Sequence, residues 1–309
     1  MEDKKYPSVA IILLNWNGDE DTIECIKSVS KINYKNYKIF VVDNNSEKKS
    51  LEALRPFCVG GVELIENKEN LGFSGGNNVG IEKALKNGFD YILLLNNDTT
   101  VEPDFLDELV KVAESDEKIG AVGSKIYFYF EPDRNKIWYG GGKFSWFGGG
   151  EHMQYGHIDA DYPNDTKPRE VDYITGCVFL IKSDIVKKIG VLPEEYFMYY
   201  EDVDWSLSVR KAGYKTMYSP KAVVYHKVTR SIKKIGSPRI LYYHMRNALL
   251  LSKRHAPKPI YWGILMWGWY KYAKQLLKLV ILPSKKEESK MIIKGIKDFY
   301  AGKFGKIRE

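Results

Sequence analysis

Three times in the first hundred residues an apolar run stops abruptly at a cluster of amides and carboxylates. Val9-Ala-Ile-Ile-Leu-Leu ends at Asn15-Trp16-Asn17, Tyr37-Lys-Ile-Phe-Val-Val at Asp43-Asn44-Asn45-Ser46, and Tyr91-Ile-Leu-Leu-Leu at Asn96-Asn97-Asp98. Short apolar runs of this kind read as strands buried on both faces. Between them lie Ile23, Ile26 and Val29 at helical spacing and a short helix around Leu51 and Leu54 with Ser50 as its cap. A third short strand, Val62 to Ile65, is followed by a helix that Asn77 or Asn78 caps and Asn87-Gly88 stops. The order β-α-β-α-β-α-β predicts an α/β fold, a mostly parallel central sheet flanked by helices. In such a sheet all three polar clusters fall along one edge, at the carboxyl ends of the strands, where nucleotides bind. For each carboxylate taken alone, a polar turn or a helix cap is the competing reading.

Other nucleotide folds are disfavoured. There is no G-x-x-x-x-G-K-[ST], and no G-x-G-x-x-G after the first strand; the glycines of Asn70-Leu-Gly-Phe-Ser-Gly-Gly-Asn-Asn-Val-Gly80 follow the third strand instead. Cys25, Cys58 and Cys177 are an odd, scattered set without a Cys-x-x-Cys pair, which argues against a disulfide scaffold or a zinc site and suits a reducing cytoplasm. The charged opening Met1-Glu-Asp-Lys-Lys does not read as a secretory leader.

Downstream, a helix is expected from Pro103 to about Ser115 and a strand within Ile119 to Tyr129. Residues 130–170 change character, with Gly140-Gly-Gly, Gly148-Gly-Gly and many aromatics, and predict a hairpin or loop. A strand from Val171 to Ile181 is interrupted at Thr175-Gly176-Cys177. Helices follow over 183–189 and 202–212, then strands over 215–218 and 222–225 closed by His226.

At this point seven ordered motifs resemble one family: the inverting family-2 glycosyltransferases of the GT-A fold, particularly the rhamnosyltransferase-like branch. They are the segments beginning at Val9, Val41 and Asn70, Leu93-Leu-Leu-Asn-Asn-Asp, Tyr173-Ile-Thr-Gly-Cys, Tyr200-Glu-Asp-Val-Asp-Trp, and His226. The resemblance implies transfer of a sugar from a nucleotide diphosphate donor, dTDP-rhamnose or a UDP-sugar, to a hydroxyl of a glycan or lipid-linked acceptor by single displacement. Such a reaction needs a base for the hydroxyl and charge stabilisation for the departing diphosphate.

The family's Glu-Asp pair maps to Glu201-Asp202, with Asp202 as the base; the start of a helix there would favour its ionised form. Asp98 matches the last acid of the family's Asp-x-Asp, a Mg²⁺ or Mn²⁺ ligand, and His226 would be a second ligand or a diphosphate contact. Asn96 replaces the first acid of that motif. Asn15, Asn17, Asp43 and Asn45 map to the nucleotide end. Asn70, Gly72 and Asn77 map to ribose or phosphate, Asn97, beside Asp98, is a further substrate contact, and Thr175, Gly176, Glu201 and Trp205 map to the sugar and acceptor. Asp204 and Arg210 are candidates to orient the acceptor or balance charge, or are surface charges. A sugar-nucleotide nucleotidyltransferase and a non-catalytic glycan- or nucleotide-binding protein are the alternatives; the first usually carries a basic glycine-rich loop after its first strand, absent from Asn15-Trp-Asn-Gly-Asp-Glu.

The organisation expected is a catalytic domain over 1–255, with a nucleotide-binding half to about 125 and an acceptor-binding half beyond, then a basic amphipathic helical extension over 256–309. In that extension Lys271, Lys274 and Lys278 share one helical face, and Trp262, Leu265, Met266, Trp269, Ala273, Leu276, Leu277 and Val280 share the other. The uncharged stretch is shorter than the ~20 residues of a spanning helix. Tryptophans beside a lysine stripe suit peripheral contact with the cytoplasmic face of the membrane rather than nucleic acid. Packing against the catalytic domain, or against a second subunit in a homodimer, is the alternative.

Overall fold

A computed structural model describes residues 6–228 and 237–308; the charged opening Met1–Lys5 lies outside them. The first half alternates as its pattern predicts: β1 (Val9–Asn15), α1 (Asp19–Val29), β2 (Tyr37–Asp43), α2 (Lys48–Leu54), β3 (Val62–Glu66), α3 (Gly72–Lys86) and β4 (Tyr91–Asn96). After β5 (Thr99–Val101) and α4 (Phe105–Ala113) come β6 (Ile119–Phe128), β7 (Ile137–Tyr139) and the hairpin β8 (Gly142–Ser145) with β9 (Gly149–His152). Then follow β10 (Arg169–Glu170), β11 (Val178–Lys182), α5 (Ser183–Ile189), α6 (Glu201–Lys211) and β12 (Lys215–His226). Three helices close the chain: α7 (Ser237–His255), α8 (Lys258–Ile281) and α9 (Lys286–Tyr300).

The central sheet has the order β10-β12-β6-β11-β4-β1-β2-β3, with β5 on β12 and β7 on β6. The N-terminal half of the sheet, β3-β2-β1-β4, is parallel throughout. Beyond it the sheet is mixed, because β11 runs antiparallel to both β4 and β6. Val9 to Leu13 of β1 are fully buried, each contributing roughly 1.5–3 kcal/mol where the side chain is large. Parallel register sets Asn15 beside Asp43 and Leu14 beside Asn96. The three polar clusters therefore do share one sheet edge.

Three local expectations are corrected. The glycine-rich segment is not a loop before a helix: α3 already begins at Gly72, so Asn77 and Asn78 lie inside it and cap nothing. Ser50 likewise sits within α2, where its hydroxyl donates to Asp19 Oδ1 at 2.6 Å. The two strands expected over 215–225 are one long strand, bulged between Ser219 and Val223.

Candidate active site

Along this sheet edge the polar residues form a built network. Asn15 Nδ2 donates to Asp43 Oδ1 at 2.7 Å, and its Oδ1 accepts from Thr22 Oγ1 at 2.9 Å. Asp43 Oδ2 accepts the Ser46 amide at 2.9 Å, so the carboxylate does close an Asx-type turn as well as facing the edge. Asn17 and Asn45 take left-handed backbone angles (φ 51° and 62°), and Asn45 is exposed. Asn17 Oδ1 accepts the Glu47 amide at 2.7 Å.

Sequence reasoning passed over Asn44, which is the hub of this half. It is buried, donating to Asn70 Oδ1 (3.1 Å) and the Gly72 carbonyl (2.9 Å) and accepting from Asn67 Nδ2 (3.2 Å) and the Leu71 amide (3.0 Å). A run of four polar residues behind a buried strand was the available signal, but not which one turned inward. Asn70 Oδ1 also takes the Gly72 amide at 2.8 Å. Gly72 has φ 75°, and a Cβ there would stand 2.4 Å from the Phe197 carbonyl oxygen, so no other residue fits. Asn77 is buried within α3, and its amide bonds back to the Phe73 carbonyl at 2.9 Å.

Asp98 and His226 come together because β12 pairs with β5, the short strand just past Asp98. His226 Nε2 lies 3.0 Å from Asp98 Oδ1, both side chains being buried. Burial works against a charged ring; Cys177 and Asp98 beside it outweigh burial and hold the His226 pKa well above the usual histidine value. The contact is a ring N–H donated to the carboxylate, and the ring must give up that proton before the pair could hold a cation. Among the described residues no group of three or more His, Cys, Asp or Glu is gathered for a metal. Asn97 Nδ2 donates to Thr22 Oγ1 at 2.8 Å, tying the end of β4 to α1.

The turn Thr175-Gly176-Cys177 links this pair to Asp202. Cys177 accepts the Asn96 amide through its carbonyl (2.9 Å), and its thiol, raised in pKa by burial, adjoins His226. One residue earlier, the Gly176 amide donates to Asp202 Oδ2 at 2.9 Å. A Cβ on Gly176 would lie 3.0 Å from the Phe73 ring and 3.5 Å from Asp202 Cβ, so α3, the turn and α6 meet there. Thr175 is buried, its hydroxyl accepting the Cys177 amide at 3.4 Å.

Asp202 is the second residue of α6, not its cap; that place belongs to Tyr200. Its Oδ1 accepts the Val203 amide at 2.8 Å. Burial outweighs these hydrogen bonds and raises its pKa above the usual aspartate value, opposite to the expected helix-dipole effect. Glu201 is pushed up strongly by burial and by Asp202, and its Oε2 has no hydrogen-bond partner among the described residues.

Three neighbours on α6 turn out to be structural. Trp205 is buried against Phe179, with its Nε1 donating to the Gly190 carbonyl at 3.0 Å, so it offers a substrate no surface. Asp204 is buried against Arg254 (2.6 Å), His255 (3.0 Å) and the Tyr196 hydroxyl (2.8 Å). Burial alone would raise its pKa, but His255 and Arg254 prevail and lower it. Arg210 pairs with Asp172 at 2.8 Å rather than with Asp202.

A parallel half-sheet with a polar edge, joined through one turn to a carboxylate–histidine pair and a separate half-buried aspartate, is a GT-A-type arrangement. The family model for Glycosyl transferase family 2 matches residues 8–190, and the chain belongs to that family. It is 29% identical over 208 residues to a galactofuranosyltransferase of Mycobacterium tuberculosis, 63% of this chain but only 32% of that protein. It is 26% identical over 176 residues to the N-acetylglucosaminyl-diphospho-decaprenol L-rhamnosyltransferase of the same organism, covering 54% of this chain and 56% of the relative. The chain thus spans about a third and about half of the lengths of these two relatives. The crystal structure of GalNAc-T7 with UDP, GalNAc and Mn²⁺ superposes over 97% of this chain and 57% of its own at TM-score 0.65 and 18% identity, a likeness of fold.

Proposed function

We propose that the protein moves a sugar from a dTDP- or UDP-linked donor to a hydroxyl of a glycan or lipid-linked acceptor, with inversion, by single displacement. The supporting observation is the Gly176-Cys177 turn, whose one side holds Asp202 and whose other side adjoins His226 and Asp98. The acceptor oxygen attacks the anomeric carbon, its proton passes to Asp202, and the bond to the β-phosphate oxygen breaks, giving a glycoside and a nucleoside diphosphate. The raised pKa of Asp202 makes it a stronger base than an exposed aspartate. Asp43, Asn15 and Asn17 hold the base and ribose end, while the first amides of α3 are already taken by Asn70 and the Phe197 carbonyl. Asp98 and His226 would hold Mg²⁺ or Mn²⁺; the GalNAc-T7 structure carries Mn²⁺. When bound, such an ion supplies Lewis-acid stabilisation of the leaving diphosphate. With Asn96 in place of an acid, affinity should be low without nucleotide. A thermal-shift screen of dTDP- and UDP-sugars with and without Mn²⁺ tests the reading. Stabilisation by one donor that deepens with Mn²⁺ is expected; no response from any nucleotide sugar would sink it.

The relative whose name includes a decaprenol-linked substrate suggests a lipid-linked acceptor. What favours it on this chain is α8. Ile264, Gly268 and Gln275 face inward, while Trp262, Met266, Trp269, Leu277 and Val280 are exposed, Val280 by 80%. Among the described residues no helix is long and apolar enough to cross a membrane. Trp262→Ser with Trp269→Ser should reduce flotation with anionic vesicles at least tenfold; unchanged flotation would remove the membrane reading.

A further inference from the structure

Immediately before Asp202 the backbone is strained. Phe197, Tyr199 and Tyr200 have φ of 64°, 67° and 76°, a region that costs a non-glycine residue about 1–2 kcal/mol. Three such residues within four positions persist only if their surroundings over-determine them. The restraint comes from α7, in the part of the chain after the family match.

Asn247 and Arg246 are fully buried. Asn247 Nδ2 donates to the carbonyls of Tyr196 (3.1 Å), Met198 (2.8 Å) and Tyr199 (2.9 Å). Which way its amide faces is settled by Arg246, whose Nε donates to Asn247 Oδ1 at 2.9 Å. The Arg246 fork also takes the carbonyls of Glu195 (3.0 Å), Tyr196 (2.9 Å) and Gly305 (2.6 Å). Two rings of α7 stack on the same segment, Tyr243 on Phe197 and His244 on Tyr199. The segment in turn holds both halves of the site. The Phe197 carbonyl accepts the Phe73 and Ser74 amides at 2.6 and 3.3 Å, fixing the start of α3, and Tyr200 is the cap of the helix that carries Asp202.

We propose that Arg246 and Asn247 are positioning residues: they hold the strained segment 197–200 so that the start of α3 and Asp202 stand in one fixed relation across the substrate. Neither touches the reacting atoms. The consequence for turnover rests on the transferase reading; the mechanical coupling does not. Asn247→Asp keeps the shape but turns an oxygen toward three carbonyls, and Asn247→Ala removes the donor without adding charge.

The test is amide hydrogen exchange on the full-length chain and both variants, with UDP and dTDP affinity and nucleotide-sugar turnover. Segments 72–77 and 197–205, far apart in sequence, should exchange together at least tenfold faster, while 39–46 keeps its protection and nucleotide Kd stays within threefold. Turnover should fall about 100-fold in kcat with donor KM within threefold, a split that general destabilisation would not give. Unchanged exchange in either segment overturns the proposal, as does loss of protection throughout the chain in both variants. If Asn247→Asp alone unfolds, the alanine variant decides. If the wild-type chain turns over no nucleotide sugar, the transferase reading fails and the exchange result still decides the coupling.

Discussion

Asp202→Asn separates chemistry from architecture. Removing a positioned general base typically costs 10²–10⁴ in rate, about 2.7–5.5 kcal/mol on the barrier. The structural cost is smaller and comes from counting acceptors. Asp202 gives one oxygen to the Gly176 amide and the other to the Val203 amide. An asparagine has one acceptor oxygen, so one of those amides faces Nδ2 and loses its partner, at about 1–3 kcal/mol. Against this, the variant no longer buries a charge. Because burial raises the Asp202 pKa above its unfolded value, the folded state binds more protons over that interval. Its contribution to stability therefore falls as pH rises from the unfolded value through the folded one, and asparagine abolishes the fall. The net change in unfolding free energy at neutral pH should stay within about 2 kcal/mol. The assay is product formation from the donor found by thermal shift, with nucleoside diphosphate affinity measured alongside by calorimetry. Wild-type kcat/KM should rise with pH through the Asp202 pKa, and the variant should lack that limb. Retention of more than a tenth of wild-type turnover would refute the assignment of the base.

Asn44→Ala removes four hydrogen bonds and strands the Leu71 amide and Gly72 carbonyl, so urea denaturation should show a loss of about 2–4 kcal/mol together with weaker nucleotide binding. Gly72→Ala forces φ 75° on a side chain aimed at the Phe197 carbonyl; thermal unfolding should register more than about 2 kcal/mol lost, and transfer should fail with it. Asp204→Asn should destabilise by about 3 kcal/mol at pH 7, the low end for a broken buried pair because Arg254 reaches solvent. Its pKa is depressed, so the stability it gives is present above the usual aspartate value and lost as pH falls through the folded one. The gap between wild type and variant, followed by chemical denaturation, should close in acid.

The parallel strands and their polar ends were legible because they are local: an apolar run and its abrupt stop describe one stretch of chain. Parallel alternation then brings Asn15, Asp43 and Asn96 to one edge without further information. What sequence could not assign was the direction of each side chain. Along Glu201-Asp202-Val203-Asp204-Trp205 successive residues turn by ~100°. Only packing decides that Asp202 meets the Gly176 turn while Asp204 and Trp205 sink against α7 and Phe179. The same holds for Asn44 inward and Asn45 outward. The meeting of Asp98 with His226 required the pairing of β5 with β12, and the restraint on 197–200 required α7 to fold back across the site. Contacts between distant segments depend on the closed sheet and on helices packed over it, and no local pattern records them.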